Sequence, residues 1–304
     1  MANSVKQVLT DCTLCYHSCG TKVTVKDGRA IKVEGLESHP LNMGRLCPKG
    51  EAMLENIYHP DRLKYPMKRS QGGWERITWE QALTEIAEKL LRLKDEFGPQ
   101  VLGVFIGSIG VENLEMSGLT QRFNAGFGSP NFFSVESICY RMRIRTRQIT
   151  FGKYPTEEFD SKLYILWGHN PEASDFPLQL HLEENLKKGS RLVVIDPKRI
   201  PLADRAEMYL RIRPGTDGAM ALAMINVIIN ERLYDKDFID KYTYGFDKLI
   251  SRIQQYTPEW AEKITWVSAE DIRQLARMFA SIKGASIYQG TSTQDQTANG
   301  TQTS

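Results

Sequence analysis

Three cysteines within eight residues near the amino terminus constrain this chain more than any other feature. Cys12, Cys15 and Cys19 follow a C-x2-C-x3-C pattern, and 27 residues separate Cys19 from Cys47. Three thiolates from one tight loop and a fourth from elsewhere are typical of a [4Fe-4S] cluster. The alternatives are unrelated buried thiols and structural zinc, although zinc usually takes two separated C-x2-C pairs and only one is present. The spacing therefore favours an iron–sulfur cluster.

The composition argues against several classes of partner. The 304 residues are 41% hydrophobic and 25% charged, with a formal net charge of +2, which predicts a globular chain of roughly two domains. We find no strongly basic segment for nucleic acid, no apolar run long enough for a membrane span and no export signal. We therefore expect a cytoplasmic protein, in which thiols serve metal binding or packing rather than disulfide bonding.

The segment between Cys19 and Cys47 predicts a β-hairpin. Apolar residues alternate with polar ones on both sides of Asp27-Gly28, a pair that accepts the positive dihedral angles of a hairpin turn. These apolar residues are Val23, Val25, Ile31 and Val33. The hairpin carries the chain out and back, so it brings Cys47 to the other thiols.

Lys49, two residues after Cys47, has two interpretations. An ammonium group beside an anionic cluster would be stabilised and would influence the cluster potential. An ordinary surface lysine at the start of a helix is the alternative, which the residues alone favour.

The remainder of the chain alternates predicted helices and strands. The segment "TWEQALTEIAEKLLRLKDEFG" predicts an amphipathic helix that begins at the N-cap Thr78, has Gln81 three residues later, and ends at Gly98. The apolar run "VLGVFIG" predicts a buried strand, and "LEMSGLTQRFNAGFG" predicts a helix. Further on, "SKLYILWG", "PLQLHLEENLKKG" and "RLVVIDP" predict a strand–helix–strand unit with parallel strands. The predicted fold is α/β: a small iron–sulfur domain with a β-hairpin, residues 1–60, followed by parallel-sheet α/β domains, residues 61–304.

Three polar segments follow predicted strands or precede a helix, where α/β sheets bind ligands. They are "WGHNPEAS", "DPKRIPLADRA" and "RPGTDGAM". Asp196 and Asp217 can each accept hydrogen bonds from a ribose or a guanine, and the helix after Gly215 offers amide groups to an anion. Singly these are ordinary turn and cap residues, but together they predict a nucleotide. A nicotinamide-binding domain is disfavoured because "GSIGVEN" lacks the full glycine fingerprint.

In this order, the segments resemble those of a known family. Over essentially its whole length the chain is similar to the amino-terminal half of molybdenum or tungsten bis-(molybdopterin guanine dinucleotide) oxidoreductases, the dimethyl sulfoxide reductase family; the matching segments include "CTLCYHSCG", "GRLCPKG", "WGHNPEAS", "VVIDPKR" and "RPGTDGAMALAM". The resemblance implies that Cys12, Cys15, Cys19 and Cys47 bind a [4Fe-4S] cluster. It also implies that Lys49 lies between cluster and pterin. The residues implied to contact a dinucleotide arm are Gly168, Asn170, Asp196, Pro197, Gly215 and Asp217.

The fifth cysteine, Cys139, is isolated in the sequence. A lone cysteine is more often a small buried residue than a ligand. In the family that the chain resembles, however, a side chain from a comparable place binds the metal, and thiolate suits a soft metal already held by sulfur. We therefore predict that Cys139 binds molybdenum or tungsten and, with Lys49, belongs to the catalytic site. Four arginines after it offset phosphate charge or form a solvated face: Arg141, Arg143, Arg145 and Arg147.

Two departures bear on the reaction. The chain is most similar to a subgroup with acetylene hydratase-like and formate dehydrogenase-like proteins. Tyr16 stands where acetylene hydratase has a catalytic aspartate, and Tyr140 stands where formate dehydrogenases typically have a histidine. We therefore expect two-electron redox chemistry on a small-molecule substrate, with electrons passing by pterin, Lys49 and cluster to a separate iron–sulfur subunit. A non-redox hydratase-like enzyme and a cluster-only electron-transfer module are the alternatives.

The family resemblance also bears on the length of this chain. Members of the family are considerably longer and hold the second dinucleotide arm mainly on a carboxyl-terminal domain. We expect a truncated chain in which a strand near residues 285–289 lies at the edge of an incomplete sheet. We also expect that the full cofactor and activity need the missing carboxyl-terminal half.

Overall fold

The computed structural model describes residues 4–107, 114–153 and 159–291. The chain forms two compact units that divide between Val135 and Glu136. Antiparallel strands and short helices come first, and parallel strands with helices between them follow. The predicted α/β class, with a β-hairpin near the amino terminus, is therefore confirmed. The domain boundary after residue 60 stays a prediction.

The first unit begins with a three-stranded antiparallel sheet in the order β1-β2-β3. Its strands are β1 (Val5–Asp11), β2 (Gly20–Lys26) and β3 (Arg29–Gly35). The hairpin of β2 and β3 is confirmed, and its turn residues Asp27 and Gly28 have φ angles of 50° and 79°, as two-residue hairpin turns require. The sequence analysis missed β1 because this strand is exposed throughout and shows no period-two alternation of apolar residues.

Helices and further strands complete the first unit. They are α1 (Pro48–Glu51), α2 (Met53–Tyr58), β4 (Met67–Ser70), β5 (Gly73–Arg76), α3 (Trp79–Phe97), β6 (Gly103–Ile106), α4 (Leu114–Phe127) and β7 (Asn131–Ser134). The predicted helix α3 is confirmed, since Thr78 and Gln81 form a reciprocal capping box. β6 pairs with β7 in parallel.

The predicted burial of β6 is wrong. Phe105 on β6 is 64% exposed, and Phe133 on the neighbouring strand is 53% exposed. Helix α3 likewise exposes Leu83, Ile86 and Leu91 along its apolar face. An apolar run indicates a strand or a helix face, but its burial depends on other segments that cover it. In the described part of the chain, this sheet has only two strands.

The second unit is built on a four-stranded parallel sheet in the order β10-β9-β8-β11. Its strands are β8 (Leu163–Trp167), β9 (Arg191–Ile195), β10 (Met208–Leu210) and β11 (Ala285–Gln289). The predicted strand–helix–strand unit is confirmed, as is the edge position of β11.

Helices pack on both faces of this sheet. The helices of this unit are α5 (Arg141–Phe151), α6 (Pro171–Ser174), α7 (Phe176–Lys187), α8 (Asp217–Asn230), α9 (Lys236–Tyr242), α10 (Phe246–Ile253), α11 (Pro258–Thr265) and α12 (Ala269–Ser281). Ile165 and Trp167 pack with side chains of α8, α11 and α12, whereas Tyr164 and Leu166 pack with α7. Burial on both faces explains why β8 is continuously apolar. No described helix has both the length and the apolar character that crossing a bilayer requires.

Candidate iron–sulfur and dinucleotide sites

The three clustered cysteines lie in the loop that joins β1 to β2. Cys12 directly follows β1 and Cys19 directly precedes β2, and the Cys12 N–H donates to the Cys19 carbonyl at 2.8 Å. Both side chains are buried, whereas Cys15 is partly exposed. The hydrogen bond continues the strand ladder, so the two outer thiols of the loop start from a rigid backbone.

The fourth thiol reaches the same place after the hairpin. Cys47 directly precedes α1, Pro48 is the first helical residue, and the Cys47 side chain does not cap the helix. Burial raises the pKa of the Cys12 thiol, and Cys15 and Cys47 raise this pKa further. Burial also raises the pKa of Cys19 to about 11, with added contributions from the other three thiols. The four predicted ligands therefore lie in two segments on either side of the hairpin, and Cys15 and Cys47 are near enough to Cys12 to act on its charge.

This donor set fits an iron–sulfur cluster. Iron–sulfur clusters bind cysteine thiolates, and Cys12, Cys15, Cys19 and Cys47 supply the four that a [4Fe-4S] cluster needs. The raised pKa values of Cys12 and Cys19 keep these two thiols protonated until a metal cation replaces the protons. Lys49, in the first turn of α1, lowers the pKa of Cys12 through its positive charge, as expected of a cation close to the thiols.

Nowhere in residues 4–107, 114–153 and 159–291 are three or more histidine, cysteine, aspartate or glutamate side chains arranged so that they could hold a metal ion. Cys12 and Cys19 nonetheless lie near enough to the other thiols of the set for those thiols to raise their pKa values.

In the second unit, glycines bring two backbones close together where β8 and β11 end. The Gly168 N–H donates to the Ile195 carbonyl at 2.8 Å, and the Gly290 N–H donates to the Trp167 carbonyl at 2.9 Å. A Cβ atom at Gly290 would lie 1.7 Å from the Gly168 oxygen, so only glycine fits there. Gly168 itself has a positive φ of 59°. The carboxyl ends of β8 and β11 are thus held together by direct backbone contact.

Asn170 supplies an unpaired acceptor at this edge. It is the residue before α6, but its side chain does not cap that helix. Its buried Oδ1 atom has no hydrogen-bond partner among the residues that the structure describes. A buried acceptor without a donor costs about 1–3 kcal/mol. The atom therefore fits a site that receives a donor from a ligand, such as the hydroxyl or amino groups of a nucleotide.

The two predicted aspartates lie close together at the same edge. Asp196 accepts a hydrogen bond from the Lys198 N–H at 2.8 Å, and burial raises its pKa. Burial also raises the pKa of Asp217, and the charge of Asp196 adds to this effect. The Trp167 indole donates to Asp217 Oδ1 at 2.8 Å. Sequence reasoning missed Trp167, although a buried indole needs an acceptor.

The last two predicted dinucleotide residues lie in turns. Pro197 follows Asp196 in the loop after β9. Gly215 precedes α8 with a φ of 79°, and nothing lies within 4 Å of a Cβ atom built there. Backbone conformation, rather than a close approach by another part of the described chain, accounts for glycine at this position.

Cys139 lies between a 3-10 turn (Val135–Ile138) and α5, and it is half-buried. Its neighbour Tyr140 has a pKa raised to about 12, chiefly by burial and also by the Glu136 side chain. Arg141 pairs with Glu136 at 3.3 Å. Cys139 and the four clustered thiols belong to different units, and its role as a metal ligand stays a prediction.

Two of the arginines on α5 contact the end of β11. Arg143 donates to the Gln289 carbonyl at 3.2 Å, and Arg147 lies 3.5 Å from the Gln289 side-chain oxygen. Arg145 instead contacts Gln148 on its own helix. The arginine series is therefore neither wholly a solvated face nor wholly available to a phosphate.

Comparison with known proteins gives a consistent identification. Residues 5–59 match the molybdopterin oxidoreductase Fe4S4 domain, and residues 62–302 match the molybdopterin oxidoreductase family. Acetylene hydratase of Syntrophotalea acetylenica is 37% identical over 94% of this chain and 40% of its own length. Formate dehydrogenase H of Escherichia coli is 32% identical over 94% of this chain and 41% of its own length.

A solved structure agrees with these matches. Acetylene hydratase from Pelobacter acetylenicus superimposes with a TM-score of 0.85 at 35% identity, covering 98% of this chain and 42% of that one. The chain thus spans about 40% of the length of the curated relatives that it matches. The chain belongs to the molybdopterin oxidoreductase family, whose cofactors are a [4Fe-4S] cluster and molybdenum or tungsten bound by bis-(molybdopterin guanine dinucleotide).

Proposed function

We propose that this chain is the amino-terminal part of the catalytic subunit of a molybdenum or tungsten oxidoreductase. The bound metal supplies two-electron redox chemistry on a small-molecule substrate, and the cluster supplies electron transfer to a separate iron–sulfur subunit. The activity of the whole protein is part of this proposal, because the chain covers only about 40% of its relatives. A carboxyl-terminal half is proposed to bind the second dinucleotide arm of the cofactor.

The observation that carries the proposal is that Cys12, Cys15, Cys19, Cys47 and Lys49 all fall within the segment that matches the Fe4S4 domain. The four thiols act on one another electrostatically, and Lys49 opposes their effect. In this arrangement the thiolates hold the cluster, and the Lys49 ammonium offsets negative charge beside it.

In the second unit, Cys139 is proposed as the protein ligand of molybdenum or tungsten. The nearby Glu136 carboxylate interacts with both Tyr140 and Arg141. Its charge is therefore balanced locally. The Cys139 side chain is half-buried. A ligand can therefore reach part of it, while the rest is shielded from bulk water.

One dinucleotide arm is proposed to lie along the carboxyl edge of the parallel sheet. Asn170 Oδ1 is a buried acceptor without a described partner, and Asp196 is a carboxylate in the next loop. Gly290 packs directly on the Gly168 backbone, with no room for a side chain between them. Pro197, Gly215 and Asp217 complete the proposed contacts.

Two variants separate the two proposed metal sites. After anaerobic reconstitution with iron and sulfide, we expect the wild-type chain to hold about four irons. Cys47→Ser should lower the iron content, whereas Cys139→Ser should leave the iron content and the cluster spectrum unchanged. Iron analysis and electron paramagnetic resonance measure both outcomes. Equal iron content in wild type and Cys47→Ser would contradict the assignment of the fourth ligand.

Guanosine diphosphate tests the dinucleotide site in the same chain. We expect it to bind more tightly than adenosine diphosphate, and we expect Asp196→Asn to weaken this binding while Asp237→Asn, on the surface helix α9, leaves it unchanged. Isothermal titration calorimetry measures the affinities. Equal binding of the two nucleotides, or no effect of Asp196→Asn, would contradict this part of the proposal.

A non-redox hydratase is the second candidate, because acetylene hydratase is among the similar proteins. Tyr16, at the position where that enzyme is expected to have an aspartate, is 58% exposed, and a phenol does not replace a buried carboxylic acid. Turnover by the whole protein without any electron acceptor would favour the hydratase. Cluster redox activity without bound pterin would favour a cluster-only electron-transfer module.

A cytoplasmic location also belongs to the proposal. Fractionation of cells that express the whole protein tests it.

A further inference from the structure

We propose that Asn42 is a positioning residue for the iron–sulfur cluster, holding the backbone next to Cys19 in register with the backbone next to Cys47. The inference rests on the cluster ligands proposed above. Asn42 touches neither thiol through its side-chain hydrogen bonds, so its action would be exerted through the main chain.

Asn42 is fully buried and uses both kinds of polar atom in its side chain. Its Oδ1 accepts from the Gly20 N–H at 2.9 Å, and its Nδ2 donates to the Gly20 carbonyl at 3.1 Å. Nδ2 also donates to the Arg45 carbonyl at 2.8 Å. Gly20 directly follows Cys19, and Arg45 lies two residues before Cys47. One primary amide therefore bridges the two segments that carry the proposed ligands.

The backbone around this bridge has little room to rearrange. A Cβ atom at Gly20 would lie 2.6 Å from the His39 ring, and one at Gly35 would lie 2.4 Å from the Gly44 backbone. The Leu36 N–H also donates to the Gly20 carbonyl, at 2.9 Å. The turn that leads to Cys47 is thus packed directly on the start of β2, and Asn42 lies between them.

This geometry points to a role that other residue types do not reproduce. Aspartate has nearly the same shape and can accept from the Gly20 N–H, but its carboxylate cannot donate to either carbonyl. Alanine leaves all three backbone groups without this partner in a buried place. Either change should allow the Cys47 corner of the cluster to move, while the loop with the other three thiolates keeps its strand ladder.

The test compares Asn42→Asp and Asn42→Ala with the wild type, with Cys47→Ser as the reference for loss of one ligand. The matched control is Asn56→Ala, because Asn56 is an exposed asparagine in the same unit. Each chain is reconstituted anaerobically and treated with ferricyanide, which takes up the one electron released when a [4Fe-4S]2+ cluster becomes [3Fe-4S]+ and Fe2+. Electron paramagnetic resonance detects the three-iron product, and a chelator measures the iron released.

We expect both Asn42 variants to form the three-iron product at least about tenfold faster than the wild type, as expected from loss of buried hydrogen bonds. The Asn56→Ala control should match the wild type. Unchanged rates in both Asn42 variants, with a four-iron cluster present, would overturn the inference and leave the proposed function intact. A wild-type chain that holds no cluster would overturn both.

Hydrogen exchange in the cluster-loaded wild type keeps the inference testable should both variants fail to fold. The Gly20 amide, held by Asn42 Oδ1, should exchange far more slowly than the exposed amide of Gly72 in the turn between β4 and β5. If the Gly20 amide exchanges as fast as that of Gly72, the bridge does not exist in solution and the inference is wrong.

Discussion

The amino-terminal segment 5–59 and the parallel-sheet unit keep their shapes by different means. Among the described residues of the segment, the buried hydrophobic side chains are Cys12 and Cys19, and the buried polar ones are Thr21 and Asn42. The parallel-sheet unit instead buries an apolar core on both faces of β8. Hydrophobic burial is the main stabilising term for most folds, whereas a small metal-binding region can take much of its folding free energy from the metal.

The largest expected effect is that of removing the cluster. Chelation of iron from the reconstituted chain should abolish slow amide exchange across residues 5–59, since little apolar surface is buried there. Peptides from Leu163–Trp167 should keep their protection. Hydrogen-exchange mass spectrometry before and after chelation measures both. Equal loss of exchange protection in the two regions would contradict the expectation that only residues 5–59 depend on the cluster for their stability.

Truncation of the apolar core should destabilise the parallel-sheet unit rather than the segment 5–59. Leu166→Ala removes a fully buried side chain from β8, and it should destabilise the parallel-sheet unit by about 2–5 kcal/mol. The iron content should not change. Leu63→Ala is the control, because Leu63 is 80% exposed and its truncation should change stability by less than about 0.5 kcal/mol. Urea unfolding measures the stability of both variants. Similar losses of stability at the two positions would contradict the assignment of Leu166 to the stabilising core.

A smaller effect is expected at Asp217. Burial raises the pKa of this carboxyl above its ordinary value of 3.8. The folded state therefore binds a proton more readily than the unfolded state, and stability falls as the pH rises through these two pKa values. Asp217→Asn removes the buried charge and retains an acceptor for the Trp167 indole. We expect a gain in stability at neutral pH that shrinks as the pH approaches 3.8, in urea unfolding at several pH values. A gain that does not depend on pH would contradict this explanation.

The smallest expected effect is a change in cluster potential. Lys49→Ala removes a positive charge close to the thiols, so the reduced and more negative cluster loses stabilisation. The midpoint potential should fall by tens of millivolts, on the order of one screened nearby charge. Lys49→Arg should retain most of the wild-type potential. Lys32→Ala, on the exposed hairpin strand β3, is the control in a redox titration. An unchanged potential in Lys49→Ala would exclude this electrostatic role.

The local elements were predictable because their signals lie in consecutive residues. The turn pair Asp27-Gly28, the capping box of Thr78 and Gln81, and the apolar runs of β8 and β9 are confirmed as predicted. That Cys12, Cys15, Cys19 and Cys47 hold one cluster stays a prediction. The roles of Cys139, Lys49 and the dinucleotide residues stay predictions.

Other features depend on which distant segments meet. The apolar run of β6 predicted a strand correctly and its burial wrongly, because burial requires covering segments that this run does not encode. The hydrogen bond from the Trp167 indole to Asp217 joins residues 50 positions apart in the sequence. The bridge from Asn42 to Gly20 spans 22 positions, and in the sequence Asn42 resembles any turn residue.

By itself, then, the amino-acid sequence determined the β2–β3 hairpin, the capped helix α3, the strand–helix–strand unit of β8, α7 and β9, and the family. These properties arise from short-range spacing, dihedral preference and apolar period. Only the tertiary structure decided which apolar faces are covered, which carboxylates lose solvent and which side chain joins the two ligand segments. The physical reason is that burial and pairing are set by the partners each segment meets, and partners far apart in the chain leave no periodic trace in either segment alone.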